Sequence, residues 1–268
     1  MELLTPGRTA LMGVLNTTPD SFSDGGRYHS LEAAVGRARE MVDEGADLID
    51  VGGESTRPGA SEVSVDEEIR RTAPVIERIG ALGVPVSIDT RKATVAKAAL
   101  DAGAVMVNDV SGGTFDPAMP PLAADRRVPV VLMHTRGTPQ TMDSLASYGD
   151  VVAEVRSELA ERVAAARHAG VEENRILLDP GLGFAKTPEQ SLELLRRIDE
   201  LHQDGFPLVV GPSRKRFVGH VLGTEVEDRL EGTLAAVAWC AAHGVAVVRV
   251  HDVRAVRRVV DMTEAIRG

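Results

Sequence analysis

Short, continuously apolar runs alternate along this chain with longer segments whose apolar residues recur every three or four positions. The first run is TALMGVLN, Thr9–Asn16. A Gly/Ser/Asp-rich loop follows it, and then SLEAAVGRAREMVDEG. The spacing of that segment predicts a helix over Ser30–Gly45, with Ser30 as N-cap and Gly45 as stop. DLIDVGG then reads as a strand and SVDEEIRRTAPVIERIGALG as a helix. Further strands are PVSIDT, VMVNDVSG, PVVLMHT, RILLDPG, PLVVG and VAVVRVHD. The helices between and after them are RKATVAKAALDAG, PAMPPLAADR, Tyr148–Gly170, Pro188–Gln203, the pair SRKRFVGHVL and RLEGTLAAVAWCAAHG, and Val253–Ile266.

The strands lack polar alternation, as expected when both faces are buried. Eight strand–helix units in 268 residues predict a (β/α)8 barrel, the TIM-barrel architecture, as a single domain over residues 1–268. An open doubly wound sheet is the runner-up, but the first turn lacks its Gly-rich signature. No linker, low-complexity tract or shift in composition divides the chain.

Composition narrows the function. The net charge is −10, which argues against nucleic acid or an anionic membrane surface as a partner. A small anionic substrate stays open, because a local site can be basic on an acidic protein. No apolar stretch is long enough to span a membrane, and Met1–Gly13 lacks the basic-then-apolar pattern of a signal peptide. Cys240 is the only cysteine and sits in a helical, apolar context. It excludes a disulfide framework and a Cys-based metal site, and a reducing cytoplasm is the expected compartment.

In such a barrel the active site lies at the C-terminal ends of the strands, so those ends can be read in order. They carry Asn16, Asp50, Asp89, Asn108 with Asp109, Met133 with His134, Asp179, Ser213 to Lys215, and Arg249 with His251 and Asp252. One Asp at a strand end commonly caps a helix or makes a turn. Amide, carboxylate or cation at every strand end is not explained by turn preference. The residues divide into two sets. Asp89, Asn108, Asp179 and Lys215 offer acceptors, an amide and one cation, which suits a flat heterocycle bearing N–H donors and a carbonyl. Asn16, Arg57, Arg249 and His251 are donor-rich and come from neighbouring strands, which suits a phosphate or diphosphate. Asn16 is also a neutral oxygen donor, suitable as one ligand of a mostly hydrated Mg2+.

Eight motifs carry a resemblance. MGVLNTTPDSFSDGG, DVGGESTRPGA, SIDT, VNDVSGG, LMH, DPGLGFAK, GPSRKRF and VRVHDV occur in order over nearly the whole chain. Together they resemble the dihydropteroate synthases of folate biosynthesis. The resemblance implies condensation of 6-hydroxymethyl-7,8-dihydropterin diphosphate with para-aminobenzoate, dependent on Mg2+, giving 7,8-dihydropteroate and diphosphate. Residue by residue, it implies that Asp89, Asn108, Asp179 and Lys215 hold the pterin, with Met133 and Phe184 packed beside it. Asn16 would ligate Mg2+, and Arg57, Arg249 and His251 would hold the diphosphate. Phe22, Thr56, Pro58 and Ser213 would border the para-aminobenzoate. Asp89, Lys215, Arg249 and His251 would carry the catalysis. The family also implies a homodimer through the last helices. Glu54, at the head of ESTRPG, has no role in this scheme. Two rivals share the fold: a pterin-binding methyltransferase, which needs no diphosphate site, and a catalytically silent paralogue, which would have lost motif residues.

Overall fold

The structure is a computed structural model that describes residue 5 and residues 7–18, 27–57 and 59–268; for residues 27–30 it describes the backbone alone. Eight strands form the centre: β1 Ala10–Asn16, β2 Leu48–Gly52, β3 Val86–Asp89, β4 Met106–Asp109, β5 Val130–Met133, β6 Ile176–Asp179, β7 Val209–Val210 and β8 Val247–Val250. Every strand pair is parallel, and the order runs β6-β5-β4-β3-β2-β1-β8-β7. A parallel bridge between Leu178 and Leu208, with the Leu178 amide donating to the Pro207 carbonyl at 3.0 Å, closes β6 onto the segment entering β7. The expected (β/α)8 barrel is therefore the observed one.

Around it lie α1 Arg27–Asp43, α2 Val65–Gly80, α3 Ala93–Asp101, α4 Met119–Arg126, α5 Val151–His168, α6 Pro188–Arg196, α7 Ile198–His202, α8 Arg216–Leu222, α9 Leu230–Ala242 and α10 Val253–Arg267. Caps set several boundaries. Ser64 accepts from the Glu67 amide to start α2. Asp150 accepts from Val152 and Ala153 to start α5, later than the expected Tyr148. Thr187 and Gln190 cap α6 reciprocally. Two expectations need correction. The first helix already includes Arg27, so Ser30 lies within it rather than at its cap. The helix expected over Pro188–Gln203 breaks at Arg197, where the backbone leaves helical geometry (φ −106, ψ 29). There the Arg197 guanidinium bonds Asp150 and Glu200 together, a tertiary contact no local periodicity encodes.

Alternation along the strands builds two layers inside the barrel. Ala10, Met12, Leu48, Met106, Val131, Leu177, Val209 and Val247 form an apolar interior cluster. One pleat further, the same inward face carries polar groups: Leu48 leads to Asp50, Met106 to Asn108, Leu177 to Asp179 and Val247 to Arg249. The apolar layer closes the barrel from below, and the polar layer forms the floor of its C-terminal mouth. The outward faces pack against the helices in a larger, separate cluster.

Candidate active site

The floor is a network across four strands. Arg249 Nε donates to Asp50 Oδ2 at 2.7 Å, and a terminal nitrogen of the same guanidinium donates to Asp89 Oδ2 at 2.6 Å. Asn108 Nδ2 donates to the same Asp50 oxygen at 2.9 Å. Asp50 is fully buried, and among the described residues its other oxygen has no partner. It was legible as a strand end but not assigned to the site. The structure makes it the hub that joins Asn108 to Arg249.

Burial lifts the Asp89 carboxyl to about 7, against the opposing pull of Arg249 and with help from the like charge of Asp50. Burial also raises Asp179, whose Oδ1 accepts from the Gly181 amide at 2.7 Å. For Arg249, burial works downward, but the carboxylates of Asp50 and Asp89 outweigh it and hold the guanidinium charged.

Lys215 caps α8 after Arg214, which takes a left-handed φ of 57°. That conformation costs about 1–2 kcal/mol for a residue with a Cβ. Arg214 is secured by two bonds to Asp252, at 3.0 and 2.7 Å, and by its amide to Thr233 Oγ1 at 3.0 Å. Lys215 Nζ sits 4.3 Å from the centre of the Phe184 ring. Burial lowers its pKa to about 8, although Asp179 pulls the other way.

Phe184 belongs to the loop after β6, which folds hard against the end of β5. A Cβ on Gly181 (φ 68°) would lie 2.0 Å from the His134 carbonyl oxygen, so only glycine fits. Lys186, fully buried, donates to His134 Nδ1 at 2.8 Å and to the Phe184 carbonyl at 3.0 Å. His134 Nε2 then meets Glu158 Oε2 at 3.0 Å. Burial and the nearby Lys186 and Arg162 charges push the His134 pKa far down, so the ring is neutral. Met133 is buried beside this loop, its Cγ 3.4 Å from where a Gly181 Cβ would stand.

Just past the end of β8, His251 Nδ1 shares a hydrogen bond with Ser213 Oγ at 2.9 Å. Burial, with Arg249 and Arg214 nearby, lowers His251 to about 4. It is therefore neutral at pH 7. Arg249 is bonded to Asp89 directly and to Asn108 through Asp50. Asn16 is half-buried at the end of β1, in register with Gly52. Thr56 is half-buried and Arg57 exposed on the loop after β2. Phe22 and Pro58 lie outside the described residues.

A buried, mixed-charge floor under a mouth bearing Lys215, Phe184 and His251 defines a barrel enzyme for a flat polar heterocycle carrying an anionic group. The profile of the pterin binding enzyme family matches residues 12–251. The dihydropteroate synthase of Synechocystis is 51% identical over 261 residues, 97% of this chain and 90% of that protein. A solved structure of the Xanthomonas albilineans dihydropteroate synthase with 4-aminobenzoic acid superposes with a TM-score of 0.92 at 46% identity, covering 97% of this chain and 94% of the other. A second, in complex with 7,8-dihydropteroate, has a TM-score of 0.90 at 43% identity, covering 99% and 96%. The chain belongs to the pterin binding enzyme family, among its dihydropteroate synthases.

Proposed function

We propose that this chain joins 6-hydroxymethyl-7,8-dihydropterin diphosphate to para-aminobenzoate, releasing diphosphate. The observation that carries the reading is the floor itself: Asp50, Asp89, Asn108 and Arg249 bonded as one array, with Asp179 and Lys215 beside it. Asn108 and Asp179 would take the N–H edge of the pterin, Lys215 its carbonyl, and Phe184 and Met133 its face.

The C–O bond to the diphosphate breaks with its electron pair leaving on the phosphate oxygen. Positive charge then develops on the pterin methylene. An ionised Asp89 stabilises that charge, and its elevated pKa falls as the cation forms beside it. Arg57, Arg249 and His251 would hold the leaving diphosphate. The aniline nitrogen attacks the methylene, forms the new C–N bond and loses a proton. Because that nitrogen is a weak nucleophile, its placement by Thr56, Ser213, Phe22 and Pro58 matters more than its activation.

The chain's donors fit Mg2+ carried chiefly by the substrate. Among the described residues no three His, Cys, Asp or Glu side chains group to hold a metal, so the protein's share is the Asn16 amide oxygen. When bound, Mg2+ would neutralise charge on the departing diphosphate.

The compartment proposed is the cytoplasm, supported by a single buried thiol. Among the described residues no helix is long and apolar enough to cross a membrane. A homodimer through α9 and α10 is proposed from Trp239, Met262 and Ile266, exposed by 45, 61 and 75%. Sedimentation at micromolar protein tests it, and a monomer would refute it.

The activity test is diphosphate release from purified protein with both substrates and Mg2+. Release that requires para-aminobenzoate supports the reading. Absence of release with both substrates refutes it and leaves the silent-paralogue alternative.

A further inference from the structure

The loop after β2, residues 53–63, is closed at its neck by buried charge. Glu54 Oε2 accepts from the Val63 amide at 2.7 Å and from Lys92 Nζ at 2.7 Å. Lys92 Nζ also donates to the Val63 carbonyl at 2.5 Å and to Glu68 Oε2 at 2.8 Å. All three ammonium protons are thereby used. Glu54 Oε1 accepts from Arg91 Nε at 3.0 Å, and Glu68 Oε1 accepts from the Thr90 hydroxyl at 2.6 Å. The Gly53 carbonyl accepts from Arg71 at 3.0 Å. A Cβ on Gly53 would stand 2.8 Å from Thr72 and 3.0 Å from Glu68, so the backbone is pressed onto α2. The side chains of Glu54 and Lys92 are each 6% exposed, that of Arg91 8% and that of Glu68 1%.

The far end of the loop is tied as well. The Gly59 amide donates to the Pro139 carbonyl at 2.9 Å, and Gln140 donates to the Ala60 carbonyl. Between neck and tip stand Ser55, Thr56 and Arg57.

A buried ion cluster adds little net stability over apolar side chains of the same volume, because desolvation offsets the attraction. Stability therefore does not account for four desolvated charges here. Among the described residues, none of the four is hydrogen-bonded to Asp89, Asn108, Asp179 or Lys215. What they do fix is the separation of the two ends of one loop. We propose that Glu54, clamped by Lys92 against Glu68, is a positioning residue that sets where Thr56 and Arg57 stand. It thereby governs use of the amine substrate without touching the pterin ring. This rests on the role given to that loop under the proposed function.

The test compares Glu54→Ala, which removes both acceptor oxygens, with Glu54→Gln, which keeps the size and one acceptor, in the full chain. Amide exchange in residues 55–62 is expected to speed up about tenfold in Glu54→Ala and less in Glu54→Gln, the size of one lost charge-assisted hydrogen bond. The KM for para-aminobenzoate is expected to rise about tenfold in Glu54→Ala and about threefold in Glu54→Gln, by the same loss. Affinity for 6-hydroxymethyl-7,8-dihydropterin, which lacks the diphosphate that Arg57 would hold, stays within about twofold in both, since no ring contact changes. Unchanged exchange in folded Glu54→Ala overturns the proposal, as does an equal loss of pterin affinity. The exchange experiment needs no turnover. It therefore separates failure of the clamp from failure of the assigned reaction, which would show as an inactive wild type.

Discussion

Two groups of buried charge stand at the same end of this barrel, and their electrostatics run in opposite directions. In the pocket, burial dominates for every shifted group but Arg249: Asp89 is lifted to about 7, Asp179 is raised, Lys215 is lowered to about 8 and His251 to about 4. In the clamp, burial is outweighed. Hydrogen bonds from Lys92 and Val63 hold Glu54 below the usual carboxylate range, and Glu54 with Glu68 holds Lys92 above the usual lysine range. Asp89 ends β3 and Lys92 caps α3, separated only by Thr90 and Arg91, yet they fall on opposite sides of this divide. The clamp has found its partners within the fold. The pocket holds charges whose partners are incomplete, a configuration folding alone does not favour and a polar ligand completes.

The contrast is broken most severely by removing pocket charge. Lys215→Ala and Asp179→Ala are expected to weaken pterin diphosphate binding by at least about 100-fold each, the loss of a charge-assisted contact to a buried polar ligand. Calorimetric titration without para-aminobenzoate checks this. Near-native affinity in both variants would sink the assignment of the ring pocket.

pH gives the next effect. Under the proposed function, pterin capture would need Lys215 protonated and the chemistry would need Asp89 ionised. For the free enzyme, kcat/KM for pterin diphosphate should fall about tenfold per pH unit below about 7, as Asp89 takes up a proton, and similarly above about 8, as Lys215 loses one. A profile flat from pH 5 to 10 would contradict both assignments. A smaller effect is expected at the loop the clamp carries. Thr56→Ala should raise the KM for para-aminobenzoate about fivefold, equivalent to one neutral hydrogen bond, with pterin affinity unchanged. Steady-state kinetics with each substrate varied in turn would show it.

Much of this was legible in the chain. The short apolar strands gave the barrel, and their polar C-terminal residues gave the polar layer at its mouth, because alternation and barrel topology are local rules. What escaped depended on partners distant in sequence. Glu54 had no readable role because Lys92 and Arg91 lie 38 and 37 residues away. Lys186 and His134 looked like ordinary motif members until a contact across 52 residues joined them. Asp50 was visible at its strand end, but its place as hub depends on Arg249, 199 residues on. The break at Arg197 likewise answers to Asp150, 47 residues earlier. Charge signs at the site also needed the structure, since the neutral state of His251 follows from burial beside two guanidinium groups.

The most direct test sets one cation from each group side by side. Below about 8 the folded protein carries the full cost of the desolvated Lys215 ammonium, and that cost fades as pH rises from about 8 towards the unfolded lysine value. At pH 7, denaturant unfolding of Lys215→Met should therefore give a stability at or above wild type. Lys92→Met leaves Glu54 and Glu68 buried without their shared cation and should lose about 3–5 kcal/mol. Equal destabilisation in the two variants would contradict the division between a pocket that waits for its ligand and a clamp that needs none.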